Sequence, residues 1–354
     1  MRAYLEFCHE LHPAEWSARH ARGEVPDRWP YGLHRLAHYG VEPIMRVPPR
    51  GRVQDRLARA VRARGGGFEW LDCIASLPAW SRRSADAILC WDERTGVPAV
   101  LRERACRGRP VVTGVVWLTD RYQVDPLASW TARHALPRAA LVWASSSAMI
   151  PPLAAEWGVP ASRLHHIPLG VDTDFFRFRP PAVEPGLVVS AGNDRHRDHA
   201  LLVRAIRQVR QRVPRARVEI ATQRRVDVAP AVGRLWQRLH EGQVADLYAR
   251  ASIVALATTP NIHASGLTVT LEAMASGRPV VVPNNPGLAE YVVPEETGLL
   301  YPVGDETAFT RGIERLLRDE AAAAAMGQAG RRRVEEHFTT ELQAARLADI
   351  MERM

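Results

Sequence analysis

Short apolar runs alternate along this chain with longer stretches whose apolar residues recur every three or four positions. That alternation predicts parallel strands flanked by amphipathic helices. The opening run MRAYLEF predicts a first strand leading into a polar loop. In the first half the clearest apolar runs are Ala87 to Trp91, Val111 to Leu118 and Ala140 to Ala144, with helical spacing over Gly51 to Arg64 and Val97 to Arg107. Pro151 and Pro152 break a helix early, and Leu153 to Trp157 follow. The segment from His9 to Pro30 keeps no steady period and predicts a long surface loop, either functional or a disordered insertion.

The second half repeats the unit after a proline-rich stretch, Phe175 to Gly186, that reads as a linker. Leu187 to Ala191 predicts a strand, Gly192 to His199 a polar turn, and Leu201, Leu202, Ala205, Ile206 and Val209 one face of a helix. Val218 to Ala221, Ser252 to Ala257 and Pro279 to Val282 predict further strands. Strand, glycine turn, helix, strand is the unit of a doubly wound sheet. Two such halves predict an α/β chain of two facing Rossmann-like domains with a cleft between them.

A length of 354 residues suits two domains. No apolar run is long enough for a membrane-spanning helix, and the first residues carry charge too early for a secretory signal. Cys8, Cys73, Cys90 and Cys106 form no C-x-x-C pair, which argues against a zinc site or disulfide framework and for a reducing cytoplasm. The net charge of +8 fits phosphate-bearing ligands, the inner face of a membrane, or arginines on solvated helix faces. The arginines are scattered and no basic-aromatic module appears, so nucleic acid is not expected as a partner.

Two constellations carry chemistry. The turn Gly192-Asn193-Asp194-Arg195-His196-Arg197-Asp198-His199 lies between a strand and a helix, where backbone N–H groups and the positive helix end converge. Gly192 permits close backbone approach, and Arg195 and Arg197 can grip phosphate oxygens. The second is His263-Ala264-Ser265-Gly266 opening a helix, with Leu267 and Thr268 in its first turn and Glu272 nearly two turns in. Glu272 can accept from ribose hydroxyls or be an ordinary solvated helical Glu. Gly277 reads as the helix cap before the strand at Pro279.

The run SGLTVTLEAMASGRPVV resembles the donor-site signature of GT-B glycosyltransferases, of the large retaining family that builds bacterial glycans and glycolipids (the glycosyl transferases group 1 type). HHIPLGVDTDFF is similar to that family's inter-domain segment, GNDRHRDHALLVRA to its phosphate-binding turn, and VADLYARASIVAL to the helix and strand before the donor site. The likeness covers most of residues 141 to 300 and is weak before residue 80. It implies a first domain over 1–172 on the acceptor side, a linker over 173–186, a nucleotide-sugar domain over 187–335, and a last helix, 336–354, returning to the first domain. It implies transfer of a hexose from a nucleotide-diphosphate sugar, with retention and no metal or other cofactor. The acceptor would be a glycan, a lipid-linked sugar or a small molecule, met in the cytoplasm or at the inner membrane face. Arg195 and Arg197 would neutralise the leaving diphosphate. Gly192, Ser265, Gly266, Leu267 and Thr268 would line the donor, Glu272 would hold the ribose, and Leu239 to Val244 would lie beside the base. Tyr31-Gly32 resembles the start of the first helix of the first domain, running to Tyr39.

Two departures stand out. The family's first glutamate falls on Ala264, flanked by His263 and Ser265, and its first-domain His has no counterpart in Val111 to Asp120. Thr113, Trp117 or Asp120 would line that spot. Asp92-Glu93 either meets the acceptor or caps the following helix. Trp16, His20, Arg22, Trp29 and Tyr31 either stack on an acceptor sugar or pack the surface. Asp172-Thr173-Asp174 spells the D-x-D of metal–diphosphate clamps but falls in the inter-domain likeness, so no metal site is assigned. Arg331 to Arg333 reads as a solvated helix face or as one that leans on a membrane. A non-catalytic scaffold of the same fold is one rival. A two-domain oxidoreductase is another, and it lacks its G-x-G-x-x-G fingerprint here.

Overall fold

The computed structural model describes residues 1–8, 11, 13–45, 52–74, 85–102, 108–118, 125–177 and 183–354. Among them the chain forms two compact units. The first comprises Met1–Ala18, Arg28–Pro168 and Gln343–Met354; the second comprises Arg19–Asp27 and Leu169–Leu342.

The first unit is built on a parallel sheet ordered β2-β1-β3-β4-β5-β6. Its strands are β1 (Arg2–Glu6), β2 (Glu42–Ile44), β3 (Ala87–Cys90), β4 (Val111–Val115), β5 (Leu141–Ala144) and β6 (Leu164–His166). β3, β4 and β5 are buried along their whole length, as apolar strands covered on both faces must be. Helix Glu93–Leu101 crosses β4 at Gly96, where a Cβ would fall 1.8 Å from Thr113 Oγ1.

The second unit repeats the architecture in the order β12-β11-β10-β7-β8-β9. Its strands are β7 (Leu187–Ala191), β8 (Arg217–Ala221), β9 (Gly233–Trp236), β10 (Ile253–Ala255), β11 (Val280–Pro283) and β12 (Gly298–Tyr301). Every pairing is parallel. Alternate residues of β7 feed opposite cores: Leu187, Val189 and Ala191 pack on one face, Val188 on the other. Helix His199–Val209 buries Leu202, Ala205, Ile206 and Val209, and Asp198 caps it by accepting from the Leu201 N–H at 2.9 Å.

Several expectations are corrected. The irregular opening contains a helix, Pro13–Ala21, with Glu15 in its first turn, Arg19 and His20 in its last, and Trp16 buried; its polar bulk hides the period. Tyr31 and Gly32 have φ of 58° and 68°, so the 3-10 segment Pro30–Tyr39 is helical only after them. Pro151 and Pro152 sit in the first turn of helix Ile150–Ala155 and start it instead of breaking it, because first-turn N–H groups need no partner. The helix expected over Val97 to Arg107 is Glu93–Leu101; residues 103–107 lie outside the described residues. Arg331 is not on a solvated face: its Nη1 donates to the carbonyls of Thr173, Phe176 and Ala275. Arg333 likewise donates to the carbonyls of Tyr291 and Glu290. Carbonyls of loops and helix ends left without intrahelical partners need donors, and these arginines supply them.

Candidate functional site

The carboxyl ends of β7 and β10 carry the turn and loop that the sequence singles out. The two are tied to each other. The backbone of Arg197 bridges that of Thr258, and the Thr259 N–H donates to the His196 carbonyl at 2.8 Å. Asn261 Oδ1 takes the Ser265 N–H at 2.9 Å, and Asn285 Nδ2 donates to Thr258 Oγ1 at 2.7 Å. The Tyr301 hydroxyl closes the network on the Leu256 carbonyl. Loops pinned in this way hold a site on rigid scaffolding.

Arg197 lies at the centre, only 6% exposed. Its Nη2 donates to the Ala191 carbonyl at 2.7 Å, while Nε and Nη1 are buried with no hydrogen-bond partner. Burial lowers its pKa, and Tyr248, Asp194 and Glu272 partly offset that. Two glycines are shaped around the guanidinium. A Cβ on Gly192 (φ 124°) would fall 2.7 Å from Nη2, and one on Gly266 (φ 101°) 3.0 Å from Nη1. Both glycines hold a backbone conformation that strains any residue with a side chain, and both bring the backbone close to the guanidinium. Helix Leu267–Ala275 begins at Gly266, and no side chain caps it. A buried cation with spare donors thus faces the amino end of a helix, the arrangement that attracts an anion.

Around this centre several polar groups are paired with one another. His199 Nε2 lies 3.2 Å from the Gly192 carbonyl; burial and then Arg197 push its pKa down to about 4, so it is neutral near pH 7. Asp194 accepts the His196 N–H at 2.7 Å and pairs with His263 Nε2 at 3.0 Å. Burial raises its pKa, but these bonds outweigh that and hold it down at about 2. Ala264 sits at φ 58°, a conformation unusual for a residue other than glycine. Glu272 Oε2 accepts from the buried Tyr248 hydroxyl at 3.0 Å. Burial raises Glu272 to about 8, offset in part by the Tyr248 bond and by Arg197.

The structure brings Gly192, Arg197 and Gly266 into contact and puts Glu272 within electrostatic reach of Arg197. Ser265 is buried with its Oγ unpartnered, Leu267 belongs to the core, and Thr268 is exposed. Val244 packs against the same core from helix Glu241–Arg250. Arg195 is exposed where Arg197 is buried, and its Nε donates to His196 Nε2 at 3.2 Å. In the first unit, Asp92 caps helix Glu93–Leu101 and pairs with Arg94 Nε at 2.9 Å. The Trp117 N–H donates to Glu93 at 2.7 Å, and Thr113 is fully buried. Asp120 lies outside the described residues. Asp172 of the D-x-D accepts the N–H groups of Asp27, Asp174 and Phe175, a turn-forming role. Sequence reasoning gave no role to Tyr248 or to the Asp194–His263 pair, although the run VADLYARASIVAL contains Tyr248 and the two constellations contain Asp194 and His263. Among the described residues no helix is long and apolar enough to cross a membrane.

Residues 185–319 match the family described as glycosyl transferases group 1. The chain is 30% identical to a GDP-mannose-dependent alpha-(1-6)-phosphatidylinositol monomannoside mannosyltransferase of Mycobacterium tuberculosis, over 54% of this chain and 56% of that protein. It is 28% identical to an MMP alpha-(1->4)-mannosyltransferase of Mycolicibacterium hassiacum, over 59% of this chain and 53% of the relative. The matches therefore span just over half the length of these relatives. Sucrose-phosphate synthase from Thermosynechococcus elongatus superposes with a TM-score of 0.74 at 20% identity, covering 100% of this chain and 98% of that one. Anabaena Alr3699/HepE in complex with UDP and glucose superposes at 0.69 with 14% identity, each chain fully covered.

Proposed function

We propose, for a chain that belongs to the glycosyl transferases group 1 family and has the two-domain α/β GT-B fold, that it transfers a sugar from a nucleotide-diphosphate donor held by its second unit. The observation that carries this reading is Arg197: a buried guanidinium with two unspent donors, set between two glycines and the amino end of a helix. Burying a cation without an anion is costly, and a bound diphosphate supplies the missing partner.

In this reading the diphosphate oxygens take Arg197 Nε and Nη1 and the N–H groups that open helix Leu267–Ala275, while Glu272 accepts from the ribose. As the bond from sugar to phosphate breaks, charge grows on the departing diphosphate. Arg197 and the helix end stand at this point of the fold to stabilise it. The chain's own positive charge does this work, which supports a metal-independent transfer. The sugar is a hexose, transferred with retention from the front face and without a covalent intermediate, to a glycan, lipid-linked or small-molecule acceptor. The likeness to a GDP-mannose-dependent mannosyltransferase makes GDP-mannose the first donor to try.

The test is a screen of GDP-, UDP- and ADP-sugars, followed by release of the free nucleoside diphosphate with and without lipid and glycan acceptors. Binding and turnover of one donor class support the reading. Donor binding with no turnover on any acceptor favours the non-catalytic scaffold, for which the substitution of the family's first glutamate by Ala264 speaks. Failure of every nucleoside diphosphate to bind overturns both.

A further inference from the structure

Tyr248 is fully buried in helix Glu241–Arg250, and its hydroxyl reaches across to the neighbouring helix to donate to Glu272 Oε2 at 3.0 Å. A buried phenol must place its O–H somewhere, and here it has the carboxyl group of Glu272 as acceptor. The bond leaves the two oxygens of Glu272 unequal. Oε2 is held from within the protein, whereas Oε1 receives no hydrogen bond among the described residues and is not sealed from solvent. A free carboxylate on a helix samples several rotamers; one anchored at a single oxygen presents the other in a fixed direction. Arg197 lies close enough for the two side chains to feel each other's charge, so Glu272 neighbours the anion site.

We propose that Tyr248 is a positioning residue. By fixing Oε2 of Glu272 it aims Oε1 at a vicinal diol, so that the site selects nucleoside diphosphates over inorganic pyrophosphate. This rests on the diphosphate reading of Arg197, and the experiment separates the two. Calorimetry on the full chain compares GDP, UDP and ADP with pyrophosphate, and the best-bound nucleotide with its 2′,3′-dideoxy form. In the wild type the dideoxy form should bind about tenfold more weakly than the ribonucleotide. Tyr248→Phe should lose about tenfold for the ribonucleotide and nothing for pyrophosphate or the dideoxy form, so that the preference for ribose disappears. A role confined to packing would lower all three alike, and that result overturns the inference, as does an unchanged profile. A wild type that binds ribo and dideoxy forms equally overturns it whether or not the variant folds. Arg197→Met reads the other layer: if pyrophosphate affinity survives it, the diphosphate reading fails and takes this inference with it. If it falls while Tyr248→Phe changes nothing, Tyr248 alone is wrongly assigned.

Discussion

At the carboxyl end of β3 two buried carboxylates are spoken for by their own unit. Asp92 caps the next helix and pairs with Arg94, and Glu93 takes the Val116 and Trp117 N–H groups at 2.8 and 2.7 Å. At the carboxyl end of β7 the buried ionic group is Arg197, with only one donor engaged by the protein. The strand ends are alike: parallel, followed by a turn and a helix. Only the accounting of hydrogen bonds differs. A buried polar group whose partners are internal is part of the architecture, whereas one with donors left over, on a scaffold rigid enough to keep them so, is prepared for something external. The contrast predicts opposite consequences for removing each group.

Glu93→Ala should have the largest effect, and on stability. It strands two backbone donors in a half-buried turn, at about 1–3 kcal/mol each, and empties a fully buried side-chain site, so denaturant unfolding should lose ~2–5 kcal/mol. A loss under ~1 kcal/mol would mean water takes over those N–H groups, and the first strand end would cease to be a closed structural device. Arg197→Met should behave in the opposite way. Nucleoside diphosphate and pyrophosphate affinity should fall by ~1–3 kcal/mol in calorimetry, with unfolding free energy held within ~1 kcal/mol, because the lost cation had little to satisfy it. A variant that unfolds easily yet binds normally would reverse the assignment.

The titration of Glu93 sharpens the same contrast. Burial, then Asp92, raises its pKa from 4.5 to about 7, against the pull of the Val116 and Trp117 N–H groups. The folded state therefore keeps a proton that the unfolded chain releases. Stability contributed by this group is complete below pH ~4.5 and declines as pH rises to about 7. Glu93→Gln, which cannot titrate, should flatten stability against pH in that window by ~1–3 kcal/mol relative to wild type. Equal slopes would show that Glu93 ionises as freely folded as unfolded. Glu272, raised to about 8, adds a decline of the same sign that extends to higher pH.

What the sequence made legible follows the same division. Gly192 and Gly266 stood out because a strand–glycine–helix order is a local pattern, and local patterns fix backbone conformation. The alternating sheets were legible for the same reason, although β2, β6, β9 and β12 were not; each spans only three or four residues, too few to show a period. Arg195 and Arg197 are indistinguishable as letters two positions apart, yet one is exposed and the other is the buried centre, because the Arg197 backbone pairs with Thr258 across the fold. The Arg331–Arg333 run hid its role in the same way. The Tyr248–Glu272 and Asp194–His263 pairs join residues 24 and 69 positions apart, and no local period reports such contacts.

The smallest expected effect tests whether shape or charge holds the second site open. Gly266→Ala adds a single methyl group where φ is 101° and the new Cβ would meet Leu256 Cδ1 at 2.9 Å and Arg197 Nη1 at 3.0 Å. The strained backbone should cost about 1 kcal/mol of stability. Arg197 can yield by swinging the guanidinium aside, and if its fixed direction matters, diphosphate affinity should drop by a few-fold, under ~1 kcal/mol. Combining Gly266→Ala with Arg197→Met should then add no further loss of binding, because both changes act through the same side chain. Additive losses would instead mean that Gly266 serves the ligand directly, through its own N–H and the helix end behind it, with Arg197 and the helix acting as independent halves of the anion site.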